Sequence, residues 1–353
     1  MSRFFSSKYE KLTPYTPGEQ PGDAKKYIKL NTNESPFPPS PAAMEYARTH
    51  TRPLNLYSDP TAAELTGMLA ERYGVSANQV LVTNGSDEIL NFAFMAFCDG
   101  SHPAVFPDIT YGFYPVFSAL NGAPYREIPL EDDFSINPGS FFNAKGTIFI
   151  ANPNAPTGKY LPLAAIAAIL ESNPENVVVI DEAYIDFGGE SALTLLPEHP
   201  NLLVTQTFSK SRSMAGARLG YGIGSPGLIA DLNTIKYSTN PYNINSMSIA
   251  AGIGVLKDRE YTDRCCGNIM ENRAYLASKL GRRGFLMTDS LANFLFVKHP
   301  DADGEKLYLE LKKRGVLVRH FSLPRIRDYN RITIGTREQL DVLLAAVDEI
   351  LQG

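Results

Sequence analysis

The chain predicts an α/β fold, with a large domain on a mainly parallel sheet followed by a smaller α+β domain. Three observations carry this. Val177-Val178-Val179-Ile180 is an unbroken β-branched run, the pattern of a parallel strand covered on both faces. From about residue 46 to residue 250, short apolar runs alternate with helical patterns, as in a sheet wrapped by helices. At 353 residues the chain exceeds one simple hydrophobic core, so two domains are expected.

Residues 1–45 are rich in proline and polar side chains and read as an extended arm that crosses the site and joins the small domain. Its first residues, Met1 to Ser7, lack the apolar core of a secretory signal and read as a lead-in. Residues 46–250 form the large domain. Its strands are expected at Val80–Val82, Ile148–Ala151, Val177–Ile180, Leu202–Val204 and Leu219–Ile223. A helical pattern from Ser246 through Leu280, with a break near Asp258, links this part to a small C-terminal domain over 251–353. There Asn293–Val297, Val316–Val318 and Arg331–Ile334 read as strands, and Gly304–Arg314 and Arg337–Leu351 as helices.

A net charge of −5 gives no electrostatic case for nucleic acid or an anionic membrane. The longest apolar stretches, such as Ile89 to Cys98, are too short to span a bilayer. Cys98, Cys265 and Cys266 form neither a disulfide framework nor a zinc spacing, which points to the cytoplasm. His50, His102, His199, His299 and His320 show no metal spacing and read as surface or loop histidines, so no metal is expected.

The chemistry is carried by four strand ends. After Leu202-Leu203-Val204 comes Thr207-Phe208-Ser209-Lys210, with Arg218 eight residues beyond the lysine. A lysine there suits a Schiff base with an aldehyde cofactor, while Thr207, Ser209 and Arg218 hold that cofactor's phosphate. Pyridoxal phosphate has both groups. The plain alternative is a solvated loop lysine. Val177–Ile180 delivers Asp181 at its carboxyl end, with Tyr184 three residues on, and these suit a pyridine nitrogen and a ring hydroxyl. Alternatively, Asp181 caps a helix. Val80-Leu81-Val82-Thr83-Asn84-Gly85-Ser86-Asp87-Glu88 is a strand, a Gly-Ser turn and a helix start, a cradle for an anion without the Walker lysine. Ile148-Phe149-Ile150-Ala151 runs into Asn152-Pro153-Asn154-Ala155-Pro156-Thr157-Gly158, a rigid turn that brings Asn154 to a strand's carboxyl end.

With Leu30-Asn31-Thr32-Asn33-Glu34-Ser35-Pro36, Thr110-Tyr111-Gly112-Phe113-Tyr114 and Arg331-Ile332-Thr333-Ile334-Gly335-Thr336, these segments in this order resemble the class II, fold-type-I pyridoxal-phosphate aminotransferases, and within them the histidinol-phosphate aminotransferase family. The resemblance spans nearly the whole chain. It implies Lys210 as the Schiff-base lysine, Asp181 on the pyridine nitrogen, Tyr184 on the 3-hydroxyl and Tyr111 over the ring. It assigns the phosphate to the Gly85, Ser86 and Asp87 turn with Thr207, Ser209 and Arg218. Tyr57 matches a tyrosine that reaches the neighbouring subunit's site, which implies a homodimer. The family's usual asparagine before Pro-Thr-Gly is Ala155 here, and Asn154 is the candidate to replace it.

For the substrate, the resemblance implies Tyr15, Asn33, Arg319 and Arg331, the arginines meeting the phosphate of histidinol phosphate and the carboxylates of glutamate and 2-oxoglutarate. The implied reaction is transamination of L-histidinol phosphate, a step of histidine biosynthesis. Competing readings are an aromatic-amino-acid aminotransferase or a phospho-amino-acid decarboxylase on the same fold. A ligand-binding module without catalysis and a nucleotide-binding protein using the Gly85-Ser86 turn are more remote.

Overall fold

The computed structural model describes residues 3–10, 12–20, 27–50 and 54–352, so parts of the expected arm (1–2, 11 and 21–26) lie outside the described residues. In chain order the strands are β1 (Ile28–Lys29), β2 (Val80–Thr83), β3 (Ala104–Pro107), β4 (Tyr125–Ile128), β5 (Thr147–Ala151), β6 (Val178–Asp181) and β7 (Leu202–Thr207). They continue with β8 (Gly220–Gly224), β9 (Leu286–Met287), β10 (Phe294–Lys298), β11 (Val316–Leu317), β12 (Arg319–His320) and β13 (Asn330–Thr333).

Seven of them form the main sheet in the order β2-β8-β7-β6-β5-β3-β4. The pairs from β7 through β4 are parallel, and β8 pairs antiparallel with both β7 and β2. Only β8 therefore runs against the other strands. The continuous apolar runs arise because both faces are covered. Ile148, Ile150, Val178, Ile180, Leu202 and Val204 face one core with Leu65, Leu69, Ile166 and Ile169 from helices Ala63–Tyr73 and Leu163–Glu171. The alternate residues Phe149, Val179 and Leu203 face the other core, with Phe92 and Phe94 of helix Ser86–Phe97 and Ile229 and Leu232 of helix Pro226–Thr239. The period of two along each strand thus feeds two cores from one apolar run.

The second body is a four-stranded antiparallel sheet, β12-β13-β10-β9, with β1 and β11 forming a parallel pair beside it. Its core joins Phe294, Leu295 and Ile332 to Ile269, Leu276 and Leu280 of helix Arg259–Gly281 and to Leu340, Leu343 and Val347 of helix Arg337–Gln352. Leu30, within the arm, is buried in the same core. The expected break falls at Asp258, whose backbone (φ −110°, ψ 60°) leaves the helical region. Helix Ser246–Lys257, before the break, packs in the main-sheet core, whereas helix Arg259–Gly281, after it, packs in the small one.

The expected strand at Val316–Val318 is found as β11, and a further short strand, β12, follows it in a different sheet, because β11 pairs with the arm and β12 with β13. One histidine departs from the surface-or-loop reading: His320 lies within β12, its ring stacked on Tyr308, whereas His199 is a buried loop residue just before β7. Among the described residues no helix is long and apolar enough to cross a membrane.

Phe149 is fully buried and stacks on Phe94 with ring centroids 4.1 Å apart. Phe149→Ala is expected to lower stability by about 3–5 kcal/mol, read as a fall in the denaturant midpoint.

Candidate active site

The register of the main sheet places Ala151, Asp181 and Thr205 side by side, so β5, β6 and β7 end along one edge. Asp181 is the last residue of β6, Thr207 the last of β7, and Lys210 follows three residues later. A cavity of ≈ 340 Å³ opens on this edge and adjoins a second of ≈ 520 Å³. Thr32, Asp87, Tyr111, Ala155, Tyr184 and Lys210 line both, so the two are halves of one cleft. Carboxyl ends of parallel strands are where open α/β sheets bind ligands.

In the smaller half, the Lys210 amine donates to the Thr32 carbonyl at 3.3 Å and lies 5.7 Å from the centre of the Tyr184 ring. Asp181 is only 5% exposed. Its carboxylate accepts two long hydrogen bonds, from Ala183 N–H at 3.3 Å and from the Tyr114 hydroxyl at 3.4 Å. Burial first, and then the charge of Asp87, push its pKa from the usual 3.8 up to about 7. A carboxylate held so poorly solvated calls for a cationic N–H partner in the cavity, which a protonated pyridine supplies.

The opposite end of the smaller half suits a phosphate. Ser86 and Asp87 begin helix Ser86–Phe97, whose first N–H groups and dipole favour an anion. Gly85 stands before them at φ 85°, and a Cβ there would meet the Arg218 guanidinium at 2.7 Å. On β8, a Cβ at Gly220 would lie 2.3 Å from Ser86 N, so glycine is required for this turn to pack against the sheet. Arg218 pairs with Asp87 at 3.5 Å and donates to the Ala215 carbonyl at 3.3 Å. Asp87 also accepts from the Tyr111 hydroxyl at 2.7 Å, and burial, reinforced by that charge, raises the Tyr111 pKa. Thr207 and Ser209 add two buried hydroxyls to the same lining.

The larger half is lined by Tyr15, Asn33, Arg319 and Arg331. Arg319 and Arg331 are directly paired across β12 and β13, and like charges in that position repel. Arg331 donates to the Asn31 carbonyl at 3.1 Å, while its buried Nε has no partner among the described residues. Burial lowers its pKa, and the neighbouring Arg319 adds to the effect. Arg319 donates to the carbonyls of Pro17 and Thr16, each at 3.3 Å. Tyr15 stacks on Phe113 at 4.2 Å. Two crowded guanidiniums, one with an open donor, suit a bound carboxylate or phosphate.

The cleft therefore collects Ser86, Asp87, Tyr111, Asp181, Tyr184, Thr207, Ser209, Lys210 and Arg218 in one half and Tyr15, Asn33, Arg319 and Arg331 in the other. One expectation is corrected. Asn154 lines neither half. Its amide donates to the Ile109 carbonyl and to Thr157 and accepts from Thr110, so the turn consumes it, and Ala155 faces the cleft instead. Tyr57, expected at a neighbouring copy's site, is 83% exposed, stacked on Tyr242 at 4.5 Å, and lies outside the cleft of its own chain. Asn33 is in place, yet both ends of its amide are engaged, with Tyr184 and Thr333.

Sequence reasoning missed Thr32, whose backbone carbonyl holds Lys210, and Tyr114, whose hydroxyl reaches Asp181. Tyr114 lies three residues after Tyr111, and that spacing was a usable signal. A backbone acceptor leaves no trace in residue type.

The family model for aminotransferases of class I and II matches residues 25–347. A histidinol-phosphate aminotransferase 2 from Dechloromonas aromatica is 47% identical over 355 residues, covering 99% of this chain and 99% of that protein. A histidinol-phosphate aminotransferase from Marinomonas sp. is 48% identical, covering 98% of this chain and 99% of its own. In structure, the chain is similar to histidinol-phosphate aminotransferase from Sinorhizobium meliloti in complex with pyridoxal-5′-phosphate, with a TM-score of 0.90 at 23% identity over 100% of this chain and 98% of that one.

The raised Asp181 pKa makes a test. With no ligand bound, the folded chain keeps a proton on Asp181 up to about pH 7, whereas the unfolded chain releases it near 3.8. Folded stability therefore falls as pH rises through that window. Asp181→Asn removes the titration. Its stability gain over the parent in ligand-free protein is expected to be near zero at pH 4 and on the order of 3 kcal/mol by pH 8, read from urea unfolding at both pH values.

Proposed function

The chain belongs to the class I and II aminotransferases, and from that premise we propose that it moves the amino group of L-histidinol phosphate to 2-oxoglutarate, giving imidazole-acetol phosphate and L-glutamate. The observation that carries this is the Arg319–Arg331 pair, whose half of the cleft opens directly onto Lys210. The names and full-length coverage of the relatives support the same substrate over an aromatic amino acid or a decarboxylation.

The residues of the smaller half fit pyridoxal phosphate: a lysine for its aldehyde, a buried carboxylate for its ring nitrogen, and a helix start with hydroxyls and Arg218 for its phosphate. When bound, it supplies an electron-withdrawing ring that acidifies the substrate carbon bearing the amine. Lys210 would hold it, and the Lys210 amine, once released, would move the proton from that substrate carbon to the cofactor's C4′ as general base and acid. The Thr32 carbonyl keeps this amine on the cleft wall. Asp181 would keep the ring nitrogen protonated, an interaction that the burial of its carboxylate strengthens. Tyr111, anchored by Asp87, and Tyr184 would contact the ring, and Tyr15 lines the larger half. Arg319 and Arg331 bind the phosphate of one substrate and the carboxylates of the other, so both half-reactions use one site and the kinetics are ping-pong.

On this reading the chain works as a homodimer in the cytoplasm. Leu54, Leu56 and Tyr57 form an exposed apolar segment suited to a second copy, and Tyr57 would reach that copy's cleft. The bodies on either side of the cleft are read as the cofactor-binding domain and the small domain, the latter completed by the arm.

The purified protein is expected to be yellow and to bleach on adding L-glutamate. A colourless protein that gains no absorbance band with pyridoxal phosphate overturns the cofactor. Lys210→Ala should still bind the cofactor but lose half-transamination by at least about 10³-fold in a stopped-flow assay. Arg331→Ala should raise the KM for histidinol phosphate by about 10–100-fold, in line with loss of one charge-assisted contact. Turnover of phenylalanine without turnover of histidinol phosphate would transfer the assignment to an aromatic aminotransferase.

A further inference from the structure

The two halves of the cleft meet at Tyr184, and the one described partner of its hydroxyl is Asn33, whose Nδ2 donates to it at 2.9 Å. Asn33 sits at φ 55°, in the left-handed region that asparagine enters more readily than most residues. The small sheet holds it there. Its backbone N–H donates to the Thr333 hydroxyl at 2.9 Å, the Thr333 hydroxyl donates to Asn33 Oδ1 at 3.1 Å, and Asn293 Nδ2 donates to the Asn33 carbonyl at 3.0 Å. Asn33, Thr333 and Tyr184 are all buried.

These partners fix which way the amide faces. Were it turned over, the Thr333 hydroxyl would accept twice and its own buried proton would have no acceptor among the described residues. With the amide as found, the Tyr184 oxygen receives a proton from Asn33 and the phenol keeps its own proton for a partner in the cleft.

We propose that Asn33 is a positioning residue: it commits the Tyr184 hydroxyl to donating into the cleft, onto the 3-oxygen of bound pyridoxal phosphate. This rests on the cofactor reading above. Ala155 gives the commitment its weight. It lines both halves of the cleft without a polar side chain, and Asn154 beside it is consumed by its own turn. Neither residue sends a side-chain donor from that segment to the ring oxygen, so the direction of the Tyr184 bond matters more. The relay also ties the small sheet to the ring, because its first member, Thr333, ends β13, the strand that carries Arg331.

A donor on the ring oxygen stabilises its negative charge and lowers the pH at which the yellow chromophore loses its proton. Asn33→Asp keeps the shape and the left-handed backbone but presents only acceptors to Tyr184, drawing the phenol proton away from the ring. In the holoenzyme the absorbance midpoint is expected to move up by about one pH unit, the size of a charge-assisted hydrogen bond. Thr333→Val, which frees the amide to turn over without adding charge, should move it the same way by a smaller amount. Tyr184→Phe should itself raise the midpoint, and in that background both substitutions should lose most of their effect.

Parent midpoints in both Asn33→Asp and Thr333→Val overturn the proposal. So do shifts that survive undiminished in the Tyr184→Phe background, since those report a general structural change. If Asn33→Asp does not load cofactor, the Thr333→Val titration decides alone. A colourless parent defeats the cofactor reading itself, whereas a yellow parent with unmoved variants defeats only the role of Asn33.

Discussion

Asp181 ends a fully buried strand with its carboxyl group almost wholly removed from water, and the chemistry of the cleft follows from placing an acidic group there. An isolated buried carboxylate is strongly disfavoured, and two hydrogen bonds above 3.2 Å offset little of that cost. The chain makes the position possible by bringing three strands to a common edge. β5 and β7 flank β6 in register, and the apolar runs beneath Asp181 are sealed by helices on both faces. The resulting carboxyl edge is rigid, and the groups that work together leave it within a few residues of each strand end.

A second buried charge supports the floor of the same edge. Arg212 is 3% exposed, pairs with Asp186 at 3.3 Å, and donates to the Thr207 carbonyl and to the hydroxyls of Tyr73 and Tyr221. Coupling to Asp186 and to the two phenols holds its pKa above the usual arginine value despite burial. It lies only two residues from Lys210, yet it anchors the turn from beneath while Lys210 faces the cleft. The arginine pair across β12 and β13 works in the opposite sense. There the like charges are left facing each other, so a ligand anion relieves a repulsion already present in the fold. One cleft thus joins a site short of positive charge at Asp181 to a site short of negative charge at Arg319 and Arg331.

The arm connects them. Residues Leu30 to Asn33 enter the core of the small sheet, accept the Lys210 amine at Thr32 and present Asn33 to Tyr184. Helix Pro41–Thr49 then carries the chain back to the main-sheet core. Within four residues the arm thus touches the small-sheet core, the lysine and the phenol.

The apolar runs at Ile148–Ala151, Val177–Ile180 and Leu202–Val204 were legible as strands because burial on both faces imposes a residue type at every position. Their polar endings were legible too, since Asp181, Lys210 and the Gly85-Ser86 turn stand where open sheets bind ligands. The separation of Val316–Leu317 from Arg319–His320 was not, because β11 joins the arm, hundreds of residues away, while β12 joins the nearby β13. The fate of Asn154 was equally hidden. A turn that ends a strand can aim an asparagine at the cleft or spend it on Ile109, Thr110 and Thr157, and only the packed backbone chooses. Residue order alone determined the kind of chemistry and the edge on which it occurs, because these follow from patterns local to each strand. Tertiary structure decided which groups face one another, that Thr32 and Tyr114 belong to the site, and that Asn33 serves Tyr184, because hydrogen-bond direction is set by neighbours distant in sequence.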